Sequence, residues 1–214
     1  QYPSIFSQKA CHTPSTRKRT LPYFHPRSGT LLVMKSSLIP TFLFLLCLAG
    51  CEKMADVGSP QEYDADGLSF SYPGNWSISV EKLGQGEDKT KVINLESPGD
   101  AIVIVCLYDF EEDGTLWEFA EDFISDMDLQ EIPLVKQGKS DFSPITRQGK
   151  SQPIKGLQNR LKFSFLGESI PHIQEYFVLK KGGRSLYVVC QSAEEDLEKT
   201  EPAFRQIVGS IELK

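Results

Sequence analysis

Five cysteines and three histidines are the residues of this chain most able to act as nucleophiles or metal ligands. A thiol attacks as its thiolate, and it needs a base in hydrogen-bond reach and some exposure. Cys106 and Cys190 stand instead inside apolar runs, "IVIVCLY" and "LYVVCQS". Two readings stand for them, a disulfide joining Cys106 to Cys190 or two separate buried thiols. The disulfide needs Cα atoms about 4.4 to 6.8 Å apart, which sequence spacing does not fix. Beyond residue 50 the only histidine is His172, and one histidine makes neither a catalytic triad nor a zinc site. After Pro171, at the start of a strand, it reads as a partly exposed structural residue. Acidic runs at Glu111, Glu112 and Asp113 and at Glu194, Glu195 and Asp196 offer the oxygen ligands that divalent cations take. They suit solvated loops or helix N-termini better, and the first lacks the spacing of a calcium-binding loop. No catalytic residue, metal or cofactor is therefore expected. Tyr72 and Trp76, beside a Pro-Gly-Asn turn, could line a recognition surface, although a large aromatic next to a turn more often closes a core.

A different chemistry surrounds Cys51. From Met34 the chain reads "MKSSLIPTFLFLLCLAGC": one cation at Lys35, an apolar stretch from Leu38 to Leu48, then the small pair Ala49 and Gly50. That is the layout of a cleaved signal peptide over 34–50. The stretch is shorter than the roughly 20 residues that span a bilayer as a helix. Leu48, Ala49, Gly50 and Cys51 resemble a bacterial lipobox, in which the cysteine thiol accepts diacylglycerol and becomes the first mature residue. Each buried methylene of palmitate-like acyl chains contributes about 0.8 kcal/mol, and more than one chain gives stable attachment. The alternative is a secreted protein cut near Ala49 with Cys51 left free. By the same resemblance, an aspartate after the cysteine would signal inner-membrane retention; Glu52 favours the outer membrane in a cell that has two. Residues 1–33 read as an over-extended leader, with an organelle transit peptide as the alternative.

Residues 1–50 hold six basic side chains and no acid, which leaves residues 51–214 with 17 basic against 29 acidic groups, a balance of −12. Nucleic-acid binding needs clustered Lys and Arg facing phosphates, so that function class is set aside. Hydrophobic residues at 40% and charged residues at 24% fit an ordinary globular chain.

The segment 51–66, "CEKMADVGSPQEYDAD", is polar and acidic without hydrophobic period, and reads as a flexible tether. The folded part is expected over 67–214. In "LSFSYPGNWSISVEK" the alternation of Leu68, Phe70 and Tyr72, and then of Trp76, Ile78 and Val80, predicts two strands around the turn at Pro73-Gly74-Asn75. "KVINLES" and "AIVIVCLYDF" extend the sheet, the second as a central strand. From Thr115 the period changes: Leu116, Ala120, Phe123, Ile124 and Met127 share a helical face, with Thr115 and Glu118 as a capping box. Phe163 and Phe165, then Tyr176 and Val178, then Leu186 and Val188 fit later strands, with a hairpin at Gly182-Gly183. Phe204, Ile207 and Val208 fit a closing helix with Pro202 in an early turn. Strands, helix, strands, helix with hairpin connections predict an α+β fold, an antiparallel sheet packed against helices.

"FSYPGNW", the acidic amphipathic helix, "EYFVLKKGGRSLYVVCQS" and "EPAFRQIVGSIEL" together resemble the PsbP-like family over nearly all of 67–214. The resemblance implies an α/β/α sandwich, and a protein that scaffolds or binds partners; fold does not fix function. The expected function is a lipid-anchored, non-catalytic binding or scaffolding protein of the bacterial cell envelope, held to the membrane through Cys51 and meeting an envelope protein or ligand. The alternative is an envelope hydrolase or metal-dependent enzyme whose carboxylates only the fold brings together.

Overall fold

The computed structural model describes residues 54–83, 90–126, 135–165 and 168–214. In chain order its elements are β1 (Gln61–Ala65), β2 (Leu68–Tyr72), β3 (Ser77–Leu83), β4 (Thr90–Glu96), β5 (Ile102–Tyr108), α1 (Leu116–Asp126), β6 (Val135–Gln137), β7 (Asp141–Gln148), β8 (Pro153–Phe165), β9 (Glu168–Lys181), β10 (Arg184–Ala193), a 3-10 turn (Glu194–Asp196), α2 (Leu197–Ser210) and β11 (Glu212–Leu213). The large sheet runs in the order β3-β4-β5-β10-β9-β8-β6, with β7 also on β8, and a small sheet runs β1-β2-β11. All pairings among the described residues are antiparallel. The fold is α+β, and strand dominates it more than a sheet packed against helices suggests.

Alternation along the strands builds two cores. On β5, Val103, Val105 and Leu107 join Val188, Phe204, Ile207 and Val208 on one face, while Ile102, Ile104, Cys106 and Tyr108 join Ala120, Phe123 and Tyr187 on the other. Each face of the large sheet thus receives one helix, α2 on the first and α1 on the second. This explains why "IVIVCLY" has no polar residue: a strand covered on both faces reads as a continuous apolar run. The small sheet adds Leu68, Phe70 and Tyr72 to the α2 side.

The hairpin expected at Gly182-Gly183 joins β9 to β10, pairing Lys181 with Arg184. β3, at an edge, departs from its alternation, with Ile78 half-buried and Val80 exposed. Pro202 lies inside the first half of α2, and Glu194, Glu195 and Asp196 form the 3-10 turn before that helix.

The tether expected over 51–66 is corrected from residue 54 onward. Residues 61–65 form β1, paired to β2 through a two-residue connection at Asp66-Gly67. Both have positive φ, 52° and 73°, as a type I′ turn requires and as Asp-Gly favours. Upstream, the Asp56 N–H donates to Asn75 Oδ1 at 2.8 Å and Asn75 Nδ2 donates to the Met54 carbonyl at 2.9 Å. The Gly74 N–H donates to the Asp56 carbonyl at 3.0 Å and the Ala55 N–H to that of Lys199 at 3.4 Å. A Cβ at Gly74 would collide with the Ser59 carbonyl oxygen. The Pro73-Gly74-Asn75 turn therefore does more than connect β2 to β3: it clasps residues 54–59 onto the domain.

Candidate functional site

The α1 side carries the exposed aromatic among the described residues, Trp117. Helix α1 starts at a reciprocal box: Thr115 N–H and Oγ1–H donate to Glu118 Oε2 at 2.8 and 2.9 Å, and the Glu118 N–H returns a bond to Thr115 Oγ1 at 3.2 Å. These bonds, the backbone one first, hold the Glu118 carboxyl below its ordinary range. With its start fixed, the helix turns Ala120 and Phe123 into the core. Phe119 stacks on Tyr187 at 4.2 Å, and Phe123 meets Tyr176 edge-on at 5.8 Å.

Trp117 lies off that face and remains 46% exposed. It tilts against Phe142 of β7 at 4.8 Å, and Phe142 in turn lies 6.3 Å from Tyr176. An aromatic series thus runs from core to solvent. Its floor is a buried polar chain. Tyr176 Oη–H and Asn159 Nδ2 both donate to Gln174 Oε1, at 2.6 and 3.1 Å, and Gln174 Nε2 donates to Gln191 Oε1 at 2.7 Å. Asn159 Oδ1 accepts the Asp141 N–H at 3.0 Å. Desolvation pushes the Tyr176 phenol well up, so it stays a neutral donor. Satisfied networks of this kind rigidify a core; this one fixes β7 next to Phe142 and so holds the base on which Trp117 rests. Glu118, Glu121 and Asp122 are exposed on α1, and Glu121, four residues on, shares the helix face of Trp117. The arrangement presents a flat aromatic beside carboxylates and suits recognition of an apolar or cationic group.

On the α2 side the fold does bring two carboxylates together. Arg147 donates from Nε and Nη2 to Glu175 at 3.1 and 2.5 Å and from Nη1 to Glu201 at 3.0 Å. Arg205 Nη2 also binds Glu201, at 2.7 Å. The Glu175 residue has 0% exposure. A bidentate guanidinium occupies its lone pairs, and the group ties β7 to β9 and α2. Glu175 is closed off from solvent, whereas the Glu201 side chain is one-third exposed.

The residues singled out in the sequence are placed as follows. Leu48, Ala49, Gly50 and Cys51 lie outside the described residues. Of the two readings of Tyr72 and Trp76, the structure gives the core-closing one and corrects the recognition surface: their exposures are 5% and 4%. Tyr72 Oη–H donates to Gln61 Oε1 at 3.0 Å, and Trp76 packs edge-on to Phe204 at 6.3 Å. The disulfide between Cys106 and Cys190 is also corrected. Cys190 is a free, buried thiol. The register sets it opposite Val103 and sets Cys106 opposite Tyr187, with the two side chains on opposite faces of the sheet. His172 has Nδ1 at 3.1 Å from the Ile170 carbonyl and its ring edge-on to Phe163 at 4.7 Å. Burial holds its pKa below the ordinary 6.5. The run at Glu111–Asp113 is tied down through Glu112, whose N–H donates to Ser185 Oγ at 2.9 Å and whose carbonyl accepts from Lys180 Nζ. Among the described residues no group of three or more His, Cys, Asp or Glu side chains is arranged to hold a metal. The helical period of α1 picks out its apolar face and passes over Trp117; an aromatic on the polar flank was the available signal.

No protein-family model matches the chain, and no curated protein sequence matches it. Among solved structures the chain is similar to cyanobacterial PsbP (CyanoP) from Synechocystis sp. PCC 6803, with a TM-score of 0.48 and 13% identity over 74% of this chain and 94% of that one. It is similar also to LpqN of Mycobacterium tuberculosis, a protein involved in cell envelope biogenesis, with a TM-score of 0.35 and 15% identity over 72% and 88% of the two chains.

Proposed function

We propose that this protein is a lipid-anchored, non-catalytic binding or scaffolding module of the bacterial cell envelope, with a PsbP-like sandwich as its folded part. The observation that carries the reading is the sequence Leu48-Ala49-Gly50-Cys51 directly after the apolar stretch of a signal peptide. Acylated at Cys51, the mature chain is held at a membrane, the outer one in a cell with two. The Trp117–Phe142 surface supports the binding half of the reading. Trp117 is large, half out of water and braced from below, and rigid aromatics contribute contact area at low entropic cost.

Two experiments test the two halves. Intact mass of the membrane-extracted protein, expressed from Met34, is expected to show a chain beginning at Cys51 with added acyl mass that a Cys51→Ala variant lacks. A photo-crosslinker placed at Glu121, exposed on α1 one turn after Trp117, is expected in intact envelopes to capture one discrete partner, while the same group at Val80 on the β3 edge does not. Equal, diffuse labelling from both positions would refute the α1 surface as the binding face.

A further inference from the structure

We infer that the folded domain lies directly against the lipid bilayer in a fixed orientation, with residues 54–59 and the Pro73-Gly74-Asn75 turn as its lipid-facing surface. The inference rests on the anchoring at Cys51 proposed above and adds to it where the domain sits and which side it shows.

Covalent geometry sets the distance. Three peptide units separate Cys51 from Met54, a span of about 10 Å at full extension. From Met54 onward the chain is fastened: Asn75 bridges the Met54 carbonyl and the Asp56 N–H, Gly74 binds the Asp56 carbonyl, and Ala55 reaches Lys199 of α2. Asp56 Oδ1 closes the segment on itself by accepting the Ser59 N–H at 3.2 Å. A domain so attached cannot stand off from the acyl chains by more than that short span.

The surface chemistry at the attachment point agrees. Among the described residues the exposed large hydrophobic side chains are Met54 at 62%, Val57 at 41%, Val80 and Trp117. Met54 and Val57 therefore lie together on the fastened segment, where they can enter the interfacial region of a bilayer. Asp56, exposed between them, disfavours an anionic headgroup layer and favours a zwitterionic one. Ala55 packs on the α2-side core, whereas Phe142, the support of Trp117, packs on the α1-side core. Anchoring through the α2 side leaves the α1 surface in water.

The test uses mature lipidated protein in phosphatidylcholine vesicles, with acyl mass verified first. A nitroxide is attached through Val57→Cys, or through Ser125→Cys on the solvent side of α1, and relaxation by oxygen dissolved in lipid is compared. The expected result is a several-fold greater effect at position 57 than at 125. It should be lost when a Gly/Ser insert of roughly twenty residues between Lys53 and Met54, with a mean reach of ~25 Å, releases the domain. Equal effects at 57 and 125 on a protein that carries its acyl mass would overturn the inference and leave the anchor standing. Absence of acyl mass would overturn both.

Discussion

Trp76 and Trp117 are the two tryptophans of the chain, and burial separates their roles. Trp76, at 4% exposure against Phe204, should cost about 3–5 kcal/mol of stability when truncated to alanine. Trp117→Ala should change stability by no more than about 1 kcal/mol while abolishing partner capture. Denaturant midpoints alongside the crosslinking assay check both. Gly74 and Asn75 make the second pair. Gly74→Ala forces its new Cβ into the Ser59 carbonyl, at about 1–3 kcal/mol. Asn75→Ala removes only the bridge to Met54 and Asp56, at about 1 kcal/mol. Hydrogen exchange over 55–59 should speed up in both variants and stay slow in β5; an unchanged rate at 55–59 would mean that the turn holds nothing. Neither role was legible in "YPGNW" itself. The sequence marks a turn there, but the segment lying on that turn is polar, and a contact between two polar stretches leaves no period to read.

At the scale of elements, the strands and helices with a hydrophobic period were legible: β2, β4, β5, β9, β10, α1 and α2 follow from alternation or a 3.6-residue repeat. β1 was not, because it is an edge strand whose own side chains are mostly at the surface; Asp66-Gly67 was its one local sign. The pairing of elements by charge was likewise hidden, since Arg147, Glu175 and Glu201 come together only through strand order. Arg147→Met should leave Glu175 buried without its cation and cost about 3–5 kcal/mol. A second change, Glu175→Gln, should recover much of that loss, as read from thermal unfolding. His172 gives the pH dependence. Burial holds its folded-state pKa below 6.5, so as pH falls the unfolded chain takes up the proton first. The stabilisation is complete above about pH 6.5 and declines as pH drops through the folded-state value. A His172→Gln variant should flatten the stability curve over that window; a parallel curve would assign the acid sensitivity elsewhere.

As a whole, the described domain has two unlike sides. The α2 side carries the fastened N-terminal segment and the Arg147 ion group; the α1 side carries an exposed aromatic on a satisfied polar floor. In the sequence this division was visible only as the apolar run of β5, which announces a strand covered on both faces but not what covers each. On the α2 side the carboxylates that the fold brings together, Glu175 and Glu201, are held by arginine. Acylation at Cys51 is the premise of both the envelope role and the membrane orientation proposed for the domain. Intact mass of the membrane-extracted protein, with Cys51→Ala alongside, should give a mature chain starting at Cys51 and carrying acyl mass that the variant lacks. An unlipidated product that retains residues 1–33 would contradict it.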